Sequence, residues 1–141
     1  MSSYALSLLL AVIACVIGGA LGGLALARPA SVLGLAGLAQ GEGGPAPLLS
    51  EGRAFGGLLI ASHAGTALYL GYQPGLGAAM AFVLALAWLG AALGRAASLL
   101  IDRARGRFNL GNLAFEILIG VTLALPFFNT GRLVLRGGMI A

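Results

Sequence analysis

The stretch AFGGLLIASHAGTALYLGYQPGLGAAMAFVLALAWLGAALG, from Ala54 to Gly94, runs for 41 residues without a formal charge. As one helix it would measure roughly 60 Å at 1.5 Å per residue, about twice the hydrocarbon core of a bilayer. It must therefore break. Gln73-Pro74-Gly75 is the break, because Pro disfavours helical geometry at the residue before it and Gly readily takes turn geometry. Two apolar helices joined by a tight turn make a membrane hairpin, and the rest of the chain is read outward from it.

Two more apolar runs flank the hairpin, so the chain offers four spans, at residues 4–27, 54–72, 76–101 and 108–131. At helical rise they measure roughly 28 to 39 Å, and each can cross a bilayer. The composition agrees. With 60% hydrophobic and 9% charged residues, and a mean hydropathy of +1.02, the chain departs from soluble domains, which are about one-quarter charged. The fold class expected is all-α: an integral membrane four-helix bundle forming a single domain over residues 1–141, with short connections and one longer loop between spans one and two. The first span ends in Ala25-Leu26-Ala27, a small-x-small pattern that also suits a signal cleavage site. It reads as a retained span, because its apolar region exceeds the roughly 7 to 15 residues of a signal and no Lys or Arg precedes it. In the long connection from Arg28 to Arg53, residues 31–39 suit a short interfacial helix, and the Gly and Pro cluster after them suits irregular loop. Pro126 is expected to kink the last span.

All eight basic residues are Arg, and they cluster at span ends. With four spans, the side holding the first and third connections carries Arg28, Arg53, Arg103, Arg105 and Arg107, with Arg95 near it. The other side holds Arg132 and Arg136. The positive-inside rule then puts the Arg-rich side in the cytoplasm and both termini outside, in the periplasm. A net charge of +4 therefore reflects topology, and no nucleic-acid partner is expected. Cys15 is the sole cysteine, which removes any intramolecular disulfide or cysteine metal site.

Full charges inside long apolar runs are costly, and only Arg95 and Glu116 fall there. Arg95, Ser98 and Asp102 share one helix face at i, i+3, i+7 spacing, as do Asn109, Asn112 and Glu116. A hairpin centred near residue 105 sets Arg95 level with Glu116, Ser98 with Asn112, and Asp102 with Asn109, with the two charges about 10 Å below the interface. Two readings fit this pair: a clasp that fixes hairpin register, or a polar site for an ion, proton or headgroup. Glu51 and Arg53 at the start of span two either join the cluster as a neutral four-charge network or stand solvated at the helix start. His63, the one His, lies near mid-membrane and suits a hydrogen bond to Ser or Thr across helices, or else a proton relay or cavity-lining group. Small residues at four-residue spacing, Gly18 with Gly22, Gly19 with Gly23, Gly57 with Ala61 and Gly65, and Gly90 with Gly94, favour close helix approach within the bundle or between copies or partners. Trp88, Tyr69 and Tyr72 read as packing or interfacial anchors.

The run Ser50-Glu51-Gly52-Arg53-Ala54-Phe55-Gly56-Gly57, the later Gly94-Arg95-Ala96-Ala97-Ser98 ahead of Asp102, and Phe115-Glu116-Ile117 resemble a family of small bacterial four-span membrane proteins known as domain of unknown function 4345. The resemblance implies a four-helix bundle of the bacterial inner membrane in which Glu51, Arg53, Arg95 and Glu116 are the characteristic polar positions. Phe55 stands where a Tyr is expected in many members, and the stretch Arg103 to Arg107 carries more Arg than the family pattern.

No serine-nucleophile elbow, phosphate loop, paired-His motif or Cys cluster is present, so no catalytic residue, metal or cofactor is assigned. The function expected is that of a small scaffold or accessory subunit of a larger membrane assembly, more in keeping with a non-enzyme than an enzyme. The alternative is a small transporter or proton-linked permeation unit using Glu116, Arg95 and His63. Expected partners are the lipid bilayer and, through the small-residue faces, a membrane protein or further copies of the chain.

Overall fold

The structure, a computed structural model, describes residues 2–35 and 46–137, with side chains at 2–32 and 46–129. Five helices follow in order: α1 (Ser3–Ala27), α2 (Pro29–Leu35), α3 (Ala46–Tyr72), α4 (Pro74–Ile101) and α5 (Arg107–Gly137). No strand occurs among the described residues. Four helices, Ser3–Ala27, Ala46–Tyr72, Pro74–Ile101 and the Arg107–Asn129 part of α5, are long and apolar enough to cross a membrane. The protein is an all-α, multi-pass membrane bundle.

Each boundary has a local cause. Ser2 caps α1 by accepting the Ala5 N–H on its hydroxyl at 3.2 Å. Only Gln73 separates α3 from α4. It leaves helical geometry (φ −136°, ψ 82°), as a following proline favours, and Pro74 then opens α4 where a missing N–H costs nothing. α3 begins two turns ahead of the expected residue 54, because Pro47 falls in its first turn, where Pro is tolerated. Glu51 and Arg53 therefore lie in the body of α3 instead of at its start. The short helix of the long connection is α2, which begins at Pro29; residues 36–39 of the expected interfacial helix lie outside the described residues. α5 continues through Pro126 and past residue 131. The side chains of Arg132 and Arg136, which enter the charge asymmetry, also lie outside the described set.

The long helices form a ring in which α1 packs on α3, α4 on α5, and the seams α1 to α5 and α3 to α4 close it, while α1 and α4 barely meet across the middle. Small side chains permit this. The core holds Ala11, Ala14 and Cys15 from α1, Leu70 from α3, Ala81 and Ala85 from α4, and Ile119, Leu123 and Ala124 from α5. With lipid as apolar as any side chain, such helices associate through close packing and hydrogen bonds. Gly22 and Gly56 show how tight α1 and α3 run: a Cβ on Gly22 would lie 2.8 Å from the Gly56 carbonyl oxygen, and one on Gly56 would lie 2.6 Å from the Leu26 nitrogen. Phe82 stacks on Phe127 at 4.4 Å between centroids and ties α4 to α5.

Candidate functional site

The α4 to α5 turn is built to hold a charged pair. Asp102 and Ala104 both donate backbone N–H groups to the Ser98 carbonyl, and Arg103 takes a left-handed conformation (φ 56°) that reverses the chain. Asn109, in the first turn of α5, donates from Nδ2 to the Ala104 carbonyl at 2.8 Å and pins the turn to the helix that follows. Two turns deeper, Arg95 Nε donates to Glu116 Oε1 at 2.6 Å, the one ion pair among the described residues. Arg95 Nη1 also reaches Asn109 Oδ1 at 3.4 Å. The pair is asymmetric. Glu116 is 5% exposed, whereas the Arg95 side chain keeps 36% of its surface open. Glu116 Oε2 is buried and has no hydrogen-bond partner among the described residues.

Other residues expected near this pair are placed differently. Ser98 and Asn112 are half-buried on the facing stripes, and neither side chain makes a hydrogen bond among the described residues. Asp102 is exposed at the helix end. Arg53 does not reach Glu116: its Nη1 donates to the Leu26 carbonyl at 2.5 Å, satisfying one of the orphan carbonyls at the end of α1. Glu51 is exposed beside a small cleft with Ala25, Pro29, Val32 and Phe55. The structure thus brings Arg95, Glu116 and Asn109 together and leaves Glu51 and Arg53 at the α1 to α3 seam.

His63 is fully buried on α3. Its Nδ1 lies 2.7 Å from the Leu59 carbonyl, which only accepts, so Nδ1 carries the hydrogen. Nε2 receives the Trp88 indole N–H at 3.1 Å, so Nε2 is the bare nitrogen. The imidazole is neutral in a fixed tautomer, with both nitrogens occupied. Behind the ring stands Gly18 of α1, where any Cβ would collide with His63 Nε2 and Cδ2. One node thereby joins α1, α3 and α4, and Trp88 extends it to α5 through an edge contact with Phe115, 5.8 Å between centroids.

Trp88 and Gly56 were not legible as parts of this framework. A hairpin centred on Pro74 sets residue 85 level with His63, and Trp88 lies one turn beyond, within reach only because the indole is long. Between α3 and α4 runs a groove of about 700 Å³, lined by residues that include Phe55, Leu58, Met80, Val83 and Trp88, with Glu116 of α5 contributing to its wall. At the turn the helices touch closely, a Cβ on Gly77 meeting the Leu70 backbone. Among the described residues no group of three or more His, Cys, Asp or Glu side chains is gathered as a metal site.

A family model described as domain of unknown function (DUF4345) matches residues 5–126, which contain all four spans up to Pro126 and every charged residue of the clasp. No curated protein and no solved structure matches the chain.

Proposed function

The chain belongs to the family of domain of unknown function 4345, and we propose that it serves in the bacterial inner membrane as a rigid, non-conducting accessory subunit of a larger membrane assembly. The observation that carries this reading is the double engagement of His63. A proton relay hands its proton between titratable groups or waters along a connected path, which a backbone carbonyl and an indole N–H cannot continue. Here one nitrogen is spent on Leu59 and the other on Trp88, and Glu116, the carboxylate inside the spans, is tied to Arg95. Polar groups arranged this way clasp a bundle's own helices. Outward faces support the partner reading, since Gly57, Gly90 and Gly94 have nothing within 4 Å of a built Cβ and another helix can approach them closely. In this reading the Arg-rich connections face the cytoplasm and both termini the periplasm.

The experiment combines flux with copurification. Wild-type protein in proteoliposomes under an imposed pH gradient should leak no faster than empty liposomes, and the protein solubilised from its native membrane should run with other subunits at fixed stoichiometry. Reproducible pH-driven flux that is lost in His63→Ala overturns the reading and promotes the transporter.

A further inference from the structure

We propose that the groove between α3 and α4 is a binding site, entered sideways from the bilayer, for a neutral lipid-soluble molecule whose small head carries a hydroxyl, and that this hydroxyl donates to Glu116 Oε2. The inference does not depend on the accessory-subunit reading.

It starts from an acceptor without a donor. Glu116 is 5% exposed, its Oε1 is filled by Arg95, and its Oε2 has no partner among the described residues although a buried charged acceptor is expensive to leave unpaired. The same side chain forms part of the groove wall. In the proposed complex the Glu116 side chain shifts so that Oε2 turns from its buried position to the groove while Oε1 stays with Arg95.

The surroundings select the head. Arg95 at 2.6 Å already balances the Glu116 charge. A cationic head would therefore leave net charge in the apolar interior, and an anionic head would meet the carboxylate directly. A neutral O–H donor adds no charge and supplies what Oε2 lacks. Depth selects further: Glu116 sits about 10 Å below the interface, too deep for a zwitterionic headgroup. Ordinary acyl chains carry no donor. A partner helix has spent its backbone N–H groups internally and has only side-chain donors to offer.

The groove selects the body. Its volume of about 700 Å³ falls within the roughly 300 to 1,000 Å³ of small-molecule sites. Apart from Ser62, Thr66 and Glu116 its walls are aliphatic and aromatic, and Leu58 and Val83 are 64% and 67% exposed, so entry from lipid requires no opening of the bundle.

The test uses the full chain in nanodiscs with hexadecanol carrying a mid-chain photoactivatable diazirine, and the methyl ether of the same probe as its non-donating twin. The alcohol should label the groove around Leu58, Met80 and Val83, and the ether should label it about tenfold less at equal membrane mole fraction, the loss of one hydrogen bond to a charged group. Val83→Trp fills the groove from a position outside the ion pair, and it should abolish labelling while the thermal unfolding of the bundle stays unchanged. Arg95→Leu combined with Glu116→Leu removes both charges together, avoiding an uncompensated one, and should bring the alcohol-to-ether ratio to about one. Equal labelling by alcohol and ether in the wild type, the result of a cleft filled by hydrocarbon or of Oε2 satisfied by water, overturns the proposal. So does undiminished labelling in Val83→Trp.

Discussion

Two glycines of α1, Gly18 and Gly23, should respond to alanine with opposite signs. A Cβ on Gly18 would overlap the His63 ring, reaching Cε1 at 2.7 Å and Nε2 and Cδ2 more closely. The ring cannot swing away without breaking the bonds to Leu59 and Trp88. Overpacking of this kind costs about 1 to 3 kcal/mol, and an interhelical hydrogen bond in a membrane contributes roughly 0.6 to 1.7 kcal/mol, so Gly18→Ala should destabilise the bundle by about 2 to 4 kcal/mol. Gly23 has nothing within 4 Å of a built Cβ, and Gly23→Ala should be neutral or stabilise by about 0.5 to 1 kcal/mol through helix propensity. Denaturant unfolding in detergent reads both, because Trp88 is the only Trp and its fluorescence reports the node itself. In a His63→Ala background the Gly18→Ala penalty should nearly vanish, a coupling that measures the contact. A Gly18→Ala protein within 0.5 kcal/mol of wild type would refute the packing of His63 against α1.

The Arg95 and Glu116 pair should give an asymmetric double-mutant cycle. Arg95→Ala strands a buried carboxylate and should cost roughly 3 kcal/mol, whereas Glu116→Ala leaves an Arg already 36% exposed and free to snorkel, and should cost about half that; additive losses in the double variant would rule out coupling. Asn109→Ala removes the bonds to Ala104 and Arg95 and should lower stability by about 1 to 2 kcal/mol, checked by the same unfolding assay. A periplasm-dependent reporter fused after Ala141 should be active, as the Arg asymmetry requires; strong signal from a cytoplasm-only fluorescent fusion would invert the topology.

The hairpin was the most legible part of the chain. A charge-free run too long for one span, with a single Pro-Gly break, leaves few alternatives, and Gln73 is indeed the lone residue between two helices. Depth could be read by counting from a turn, which is why Arg95 and Glu116, each a fixed distance from the Arg-rich connection, could be set level. Rotation about the helix axes could not be read. That is why the spacing puts Gly57 on a close-approach face and passes over Gly56, although Gly56 packs against the α1 backbone and Gly57 faces open space. It is also why His63 is expected to meet a Ser or Thr on another helix and meets Trp88 instead: Trp88 is one turn from level, and an indole N–H needs the three-dimensional approach of α3 and α4 to reach an imidazole. Pro47 misled on the start of α3 because a proline in a first turn and a proline in a loop look the same in one dimension. The groove depends on how two helices splay beyond their turn, a property of packing against α1 and α5.

His63 with Trp88, and Arg95 with Glu116, hold the bundle's own helices together. Nitrogen-15 NMR of histidine-labelled and tryptophan-labelled protein in nanodiscs tests this at His63. The spectra should show one neutral tautomer with the hydrogen on Nδ1, a bare Nε2, and magnetisation transfer between Nε2 and the Trp88 indole N–H. A hydrogen on Nε2, or a ring exchanging between tautomers with no connection to Trp88, would contradict it.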